Sequence, residues 1–369
     1  MFIRNVIYIN NLQKSFRFFG RQTISIIIGL LSSFISMAQD VHFSQFYAAP
    51  LYLSPSLAGS TDGARLALNY RNQWPGISKA FTTSAVSFDN FFPRFKSGLG
   101  VQVIQDKAGS ANLTFTHMAL QYSYNIRINS EWQFVPGIQF AYGSRALDFS
   151  KLIFGDEQIG GGASGSWDRL NNEKTEFVDF AASALVYSQY FWGGLTLDHL
   201  AQPNHSFLGE EIKLNRKYTL FGGVNIWTEK RRRIGLDRAF AMSFRYQDQL
   251  SFHQLDAGFY WFNAPIEVGI WYRGLPVFSN VNSRINHDAV VLLMSYKYGP
   301  IRFGYSYDIT ISNLGLQSAG AHELSLIFEF NQKSQLRLGG RRPAIPCSDN
   351  SNPLDVDAYK YSKKKKRLF

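Results

Sequence analysis

Period-two alternation, sustained over segments longer than ordinary strands, constrains this chain more than any other feature. Met118, Leu120, Tyr122, Tyr124 and Ile126 interleave with Ala119, Gln121, Ser123, Asn125 and Arg127. Ile301, Phe303, Tyr305, Tyr307 and Ile309 alternate with Arg302, Gly304, Ser306 and Asp308. The stretches 65–71, 240–246 and 266–273 behave alike, with Arg65, Arg71, Arg245, Glu267 and Arg273 on their polar sides. Successive strand side chains point to opposite faces, so each segment has one apolar and one polar face. The apolar face is heavy with Phe and Tyr. The polar face mixes charged residues and Gln with Gly, Ala and Ser. A soluble sandwich also alternates, but its strands usually run about five or six residues. Membrane-crossing strands need about 9–11 when tilted, and their lipid face carries aromatic girdles. The expected fold is all-β, a transmembrane antiparallel β-barrel.

The expected strands are 64–71, 80–88, 98–106, 113–127, 132–146, 177–188, 190–199, 216–227, 239–247, 250–261, 264–273, 288–298, 301–310 and 321–330. That is about fourteen, an even number, which puts both barrel ends in the periplasm. Asn129-Ser130, Gln189, Phe262-Asn263 and Gly299-Pro300 are then short periplasmic turns. The segments 147–176, 200–215, 274–287 and 311–320 are long outward connections. Two connections break this rhythm: 228–238 is a long inward one, and the outward loop after 247 is short.

The first residues read as an address. Arg17 and Arg21 precede an apolar run from Ile24 to Ile35, and Ser36-Met37-Ala38 forms a small-x-small cleavage site. About a dozen apolar residues are too few for a helical span, which needs about 20. The expected divisions are a cleaved signal peptide at 1–38, an N-terminal segment at 39–62, an outer-membrane barrel at 63–330 and a basic periplasmic tail at 331–369. Gln39 rather than cysteine follows the cleavage site, which excludes a lipoprotein. The formal net charge of +11 sorts along these divisions. Residues 1–38 carry four basic and no acidic side chains, and 333–369 carry ten basic and three acidic ones. The residues between have no net charge, which argues against a nucleic-acid binder.

No motif carries catalytic or metal chemistry. Gly160, Gly162 and Gly165 have dinucleotide-fingerprint spacing, but both flanks are loop-like rather than strand and helix. His199 and His205 have no evident third ligand. Glu210-Glu211 sits in a loop with nothing to mark an acid and base. Cys347 is the single cysteine, which excludes an intrachain disulfide. The expectation is a non-enzyme without catalytic residues, cofactor or metal.

The residues after the cleavage site read Gln39-Asp40-Val41-His42-Phe43-Ser44-Gln45-Phe46-Tyr47-Ala48-Ala49-Pro50, followed later by Asn69-Tyr70-Arg71-Asn72-Gln73-Trp74-Pro75. With His199-Leu200-Ala201-Gln202-Pro203-Asn204, Trp271-Tyr272-Arg273-Gly274 and Gly320-Ala321-His322-Glu323, these stretches resemble the PorP/SprF family of Bacteroidota outer-membrane proteins. That family belongs to the type IX secretion system and gliding motility. The resemblance implies a barrel in outer-membrane lipid whose partner is a secreted adhesin cargo with a type-B C-terminal sorting domain. Such barrels help the cargo reach, or stay attached to, the cell surface, and some associate with periplasmic ring and motor components. The alternative is a general diffusion porin or small-solute channel.

Three groups are candidate sites. Phe43, Gln45, Phe46 and Tyr47 belong to an aromatic segment too costly to leave in water, so they either plug the periplasmic mouth of the barrel or dock on a partner. Asn72, Gln73 and Trp74 fall in the first outward loop, as a loop brace or cargo contact. Lys230, Arg231, Arg232 and Arg233, with Lys363, Lys364, Lys365, Lys366 and Arg367, form two basic clusters on the periplasmic side. They are either solvated charge at anionic membrane surfaces or a docking surface for a periplasmic partner.

Overall fold

The computed structural model describes residues 40–61, 63–76, 81–109, 112–148, 174–207, 211–230, 237–250, 252–279, 285–311 and 316–330. The strands are β1 (Ala64–Gln73), β2 (Phe81–Phe92), β3 (Ser97–Ala108), β4 (Leu113–Tyr124), β5 (Ile126–Arg127), β6 (Gln133–Ala146), β7 (Lys174–Tyr187) and β8 (Phe191–Asp198). They continue with β9 (Lys217–Lys230), β10 (Asp237–Gln249), β11 (Phe252–Asn263), β12 (Ile266–Ser279), β13 (Ile285–Tyr298), β14 (Ile301–Thr310) and β15 (Ala321–Phe330). Neighbours in sequence pair antiparallel, β4 pairs directly with β6, and β1 pairs with β15 from Ala64↔Phe330 to Gln73↔Ala321. The sheet therefore closes as a 14-strand antiparallel barrel, with β5 a two-residue continuation of β4 along β6. Among the described residues no helix is long and apolar enough to cross a membrane.

Burial is inverted relative to a soluble protein. Arg65, Asn69 and Arg71 on β1 are buried while Tyr70 is exposed, and on β3 Gln102 is buried between exposed Val101 and Val103. Charged groups are almost never fully buried unless paired, and a wall with aliphatics outward is stable only against lipid. Phe92, Tyr124, Tyr190, Trp261, Tyr298 and Phe330 are all exposed beside the short turns, forming an aromatic girdle at that end.

All fourteen expected strands are present, and the differences lie at their ends. The expected long connection 274–287 is mostly strand, because β12 runs to Ser279 and β13 starts at Ile285. The ladder shifts register between Arg273 and Gly274, so the period-two signal loses its parity while pairing continues. A second shift at Phe240/Ala241 lies in β10, and the ladder of β9 and β10 narrows the expected 228–238 connection to 231–236. Asn72 and Gln73 are the last residues of β1 rather than loop residues, because the β1–β15 ladder pairs both of them.

The lipid assignment predicts that Ile138→Arg, at the middle of the outer face of β6, costs about 2–4 kcal/mol. Equilibrium unfolding in lipid vesicles measures it; an unchanged midpoint would contradict the assignment.

Candidate functional site

The lumen is occupied by the chain's own residues 42–61. Phe43, Gln45, Phe46, Tyr47, Leu51, Leu53 and Leu57 are all buried, although they precede the first strand. Their local structure follows from two prolines. Pro50 opens a single helical turn, Pro50–Leu53, and Pro55 opens a tighter one, Pro55–Leu57. Proline suits the first helical position, where its missing N–H costs nothing. Such short turns leave many backbone groups without internal partners, and buried backbone groups must be paired.

The polar inner face of the wall supplies those partners. Asn69 on β1 donates to Ala48 O (3.4 Å), Gln121 on β4 to Leu51 O (2.8 Å) and Thr196 on β8 to Leu53 O (3.2 Å). Ser56 N donates to Ser183 Oγ on β7 at 2.9 Å, and Ser123 on β4 donates to Ala58 O at 2.8 Å. The wall also makes room: a Cβ on Gly98 of β3 would overlap the Ala58 carbonyl, and one on Gly137 of β6 would overlap Ser56 N. Apolar contacts complete the fit, with Phe46 edge-on to Trp271 at 4.8 Å and Tyr47 edge-on to Tyr260 at 5.2 Å.

Two ion clusters hold the ends of this segment. Near the short turns, Arg65 on β1 makes paired contacts of 2.9 and 3.0 Å to Asp89 on β2. Arg65 also donates to Leu57 O and Ser60 Oγ, and Gly59 N donates to Asp89 at 2.8 Å. Toward the other end, three arginines and three carboxylates join in one chain of ion pairs in which the signs alternate. Glu323 (β15) lies 3.3 Å from Arg71 (β1), which lies 2.8 Å from Asp308 (β14). Arg273 (β12) bridges Asp308 at 3.0 Å and Asp256 (β11) at 3.2 Å, and Asp256 pairs with Arg245 (β10). All six are no more than 4% exposed.

Residues 42–46 sit at the centre of that array. Ser44 Oγ accepts from Arg71 (2.6 Å) and Arg273 (2.7 Å) and donates to Asp308 (2.7 Å). Ser44 N and Gln45 N donate to the two oxygens of Glu323 at 2.8 and 3.0 Å. The Gln45 amide donates to Ser306 Oγ and Glu323 O and accepts from Ser325. Arg245 stacks over Phe46 and donates to His42 Nε2 at 2.8 Å. Arginine can only donate, so that nitrogen carries the lone pair. Arg71 and Asp308 each lie third from the last residue of their strand, while Gly98 and Ser123 lie next to the opposite end of theirs. The segment thus runs along the height of the lumen, where the sequence suggested only the mouth at the turn end.

Trp74 follows β1 directly, with φ of 58°. Its N–H donates to Gly320 O at 2.7 Å and its ring stands edge-on to Phe81, so it ties together the connections on either side of the β1–β15 seam. The Arg71 guanidinium donates to the Gln73 side chain at 3.3 and 3.4 Å, while Asn72 is partly buried. Lys230 ends β9; Arg231, Arg232 and Arg233 and the cluster Lys363–Arg367 lie outside the described residues. Among the described residues no three His, Cys, Asp or Glu side chains gather to hold a metal ion.

A family model described as "Type IX secretion system membrane protein PorP/SprF" matches residues 35–328. The chain belongs to the PorP/SprF family. Solved barrels are distant from this PorP/SprF protein. The "KdgM porin" is 10% identical over 72% of this chain and 99% of its own, with a TM-score of 0.34. The Pseudomonas putida toluene transporter TodX is 10% identical over 75% and 93%, with a TM-score of 0.41. A mutant Rhodopseudomonas blastica porin is 8% identical over 72% and 98%, at 0.31. No functional reading comes from these likenesses. No curated protein matches the chain.

Four of the sequence stretches that resemble the family meet at the charged array: Ser44-Gln45, Arg71, Arg273 and Glu323. A fifth shapes the loop after β8, where His199, at φ of 59°, meets Asp179 at 2.6 Å. Asp256, and the pairing of Arg65 with Asp89, were not singled out from sequence. The available signal was isolated charges of opposite sign at inward positions of adjoining strands.

Arg71→Ala leaves Asp308 and Glu323 short of a buried partner, with an expected cost of about 3–5 kcal/mol. Lys213→Ala, which removes an exposed pair with Glu211, should cost about 0–1 kcal/mol. Chemical unfolding of the two variants side by side checks this, and similar small losses would contradict the array's role.

Proposed function

We propose that this protein is an outer-membrane barrel of the type IX secretion system that binds a secreted adhesin carrying a type-B C-terminal sorting domain. It supports that cargo's delivery to, or anchoring at, the cell surface, including in gliding motility. Signal cleavage after Ala38 delivers it to the outer membrane, with the short turns facing the periplasm. The observation that carries the reading, within the PorP/SprF family, is that residues 42–61 pack inside the wall and bond to it from both ends. A diffusion porin needs a water-filled lumen; this lumen is filled with backbone, aromatic rings and paired charge. Function then rests on the surfaces at the barrel's ends. Asn72, Gln73 and Trp74 brace the outward loops that meet cargo. Lys230, Arg231, Arg232, Arg233 and Lys363–Arg367 dock periplasmic ring or motor components through screened electrostatics.

Two measurements test this reading. In planar bilayers the intact protein is expected to give no steady pore current, and deletion of 40–60 is expected to open one in the SDS-resistant, closed fraction of that variant; equal currents from closed barrels would contradict the plug. Deleting the gene is expected to remove one large adhesin from the surface proteome. An unchanged surface with altered solute uptake would favour the porin instead.

A further inference from the structure

The seam between β1 and β15 is the pairing most separated in sequence, so its closure carries the largest chain-entropy cost in the barrel. Ser44 and Gln45 concentrate their contacts there, while His42 and Phe46 reach Arg245 on β10. Across the seam Arg71 stands opposite Glu323 in register, and Ser44 bonds to both, to the first through its hydroxyl and to the second through its amide. Gln45 adds Ser306 on β14 and Ser325 on β15. The Ser44 hydroxyl uses its one donor and both acceptor positions, and the Gln45 amide uses both donors and its oxygen. Buried polar side chains need such partners, and here four strands, β1, β12, β14 and β15, supply them together.

We propose that the inner wall beside the β1–β15 seam is a peptide-recognition site whose ligand is the chain's own His42–Phe46, and that filling this site closes the barrel. The site selects a short peptide with two successive backbone amides aimed at a carboxylate, a serine hydroxyl between arginines, and a glutamine beside serines. With it empty, Glu323 loses two N–H donors, Asp308 loses a hydroxyl, and Arg71 and Arg273 lose a shared acceptor, all groups that are buried when the segment is in place. Buried polar groups left without partners disfavour the closed state. The peptide thus favours closure by rewarding the arrangement in which β1, β12, β14 and β15 present their side chains together. This follows from the lumen geometry and holds whatever cargo the barrel serves.

The test uses a chain that begins at Tyr47, refolded into phosphatidylcholine vesicles, with closure read as SDS-resistant, heat-modifiable protein. The expected result is a folded yield about 10-fold below that of the mature chain, restored in a saturable way by a synthetic peptide of residues 39–46. The same peptide with Ser44→Ala and Gln45→Ala should need about 100-fold more, as expected for lost hydrogen bonds to charged groups. Full yield without peptide, or equal rescue by both peptides, would overturn the proposal. If the shortened chain folds with neither, the full-length chain carrying Ser44→Ala and Gln45→Ala decides. Refolding about 10-fold slower than a Ser56→Ala control supports the proposal, and an equal rate overturns it.

Discussion

The structure depends on charge that has been taken out of water. A wall of fourteen strands encloses more space than its own side chains fill, and lipid on the outside forces every polar group inward. The inward face therefore holds Arg65, Asp89, Arg71, Glu323, Asp308, Arg273, Asp256 and Arg245 at almost no exposure. Ions so placed are tolerated only when paired and hydrogen-bonded. Pairing around the wall satisfies part of that demand, and the N-terminal segment satisfies the rest with its amides, one serine and one glutamine. A polar inner face, the usual lining of an aqueous channel, here serves as the solvation shell of a peptide.

Much of the barrel was legible in the sequence because alternation reports which face a residue takes. Faces, strand number and the short turns followed from that signal. Strand ends did not follow where a bulge shifts parity, as at Arg273/Gly274 and Phe240/Ala241. Asn72 and Gln73 were placed in a loop because the alternation was read only as far as Arg71, when backbone pairing to β15 carries the strand to Gln73.

The site was legible only in pieces. Period two gives the face of a residue but not its height, and the partners in the charged array lie up to about 280 positions apart. Arg71, Arg245, Arg273 and Asp308 were visible as inward-facing charges, but the chain of ion pairs that links them emerges only when the barrel closes. The aromatic segment demanded burial, yet composition alone does not say whether it rests at the mouth or runs through the lumen. What decides is the exact match of its backbone groups to Asn69, Gln121, Thr196 and Ser183.

That match gives the most direct test. Ser56 Oγ and Ser183 Oγ lie 2.6 Å apart, one on the segment and one on β7. In a Cys347→Ser background, Ser56→Cys with Ser183→Cys should form a disulfide under mild oxidation in native membranes, detected by peptide mass spectrometry. Ser56→Cys with Ser295→Cys, whose second site faces the lumen from β13, should not. Absence of the first cross-link, or equal formation of both, would contradict a segment fixed along the lumen of this barrel.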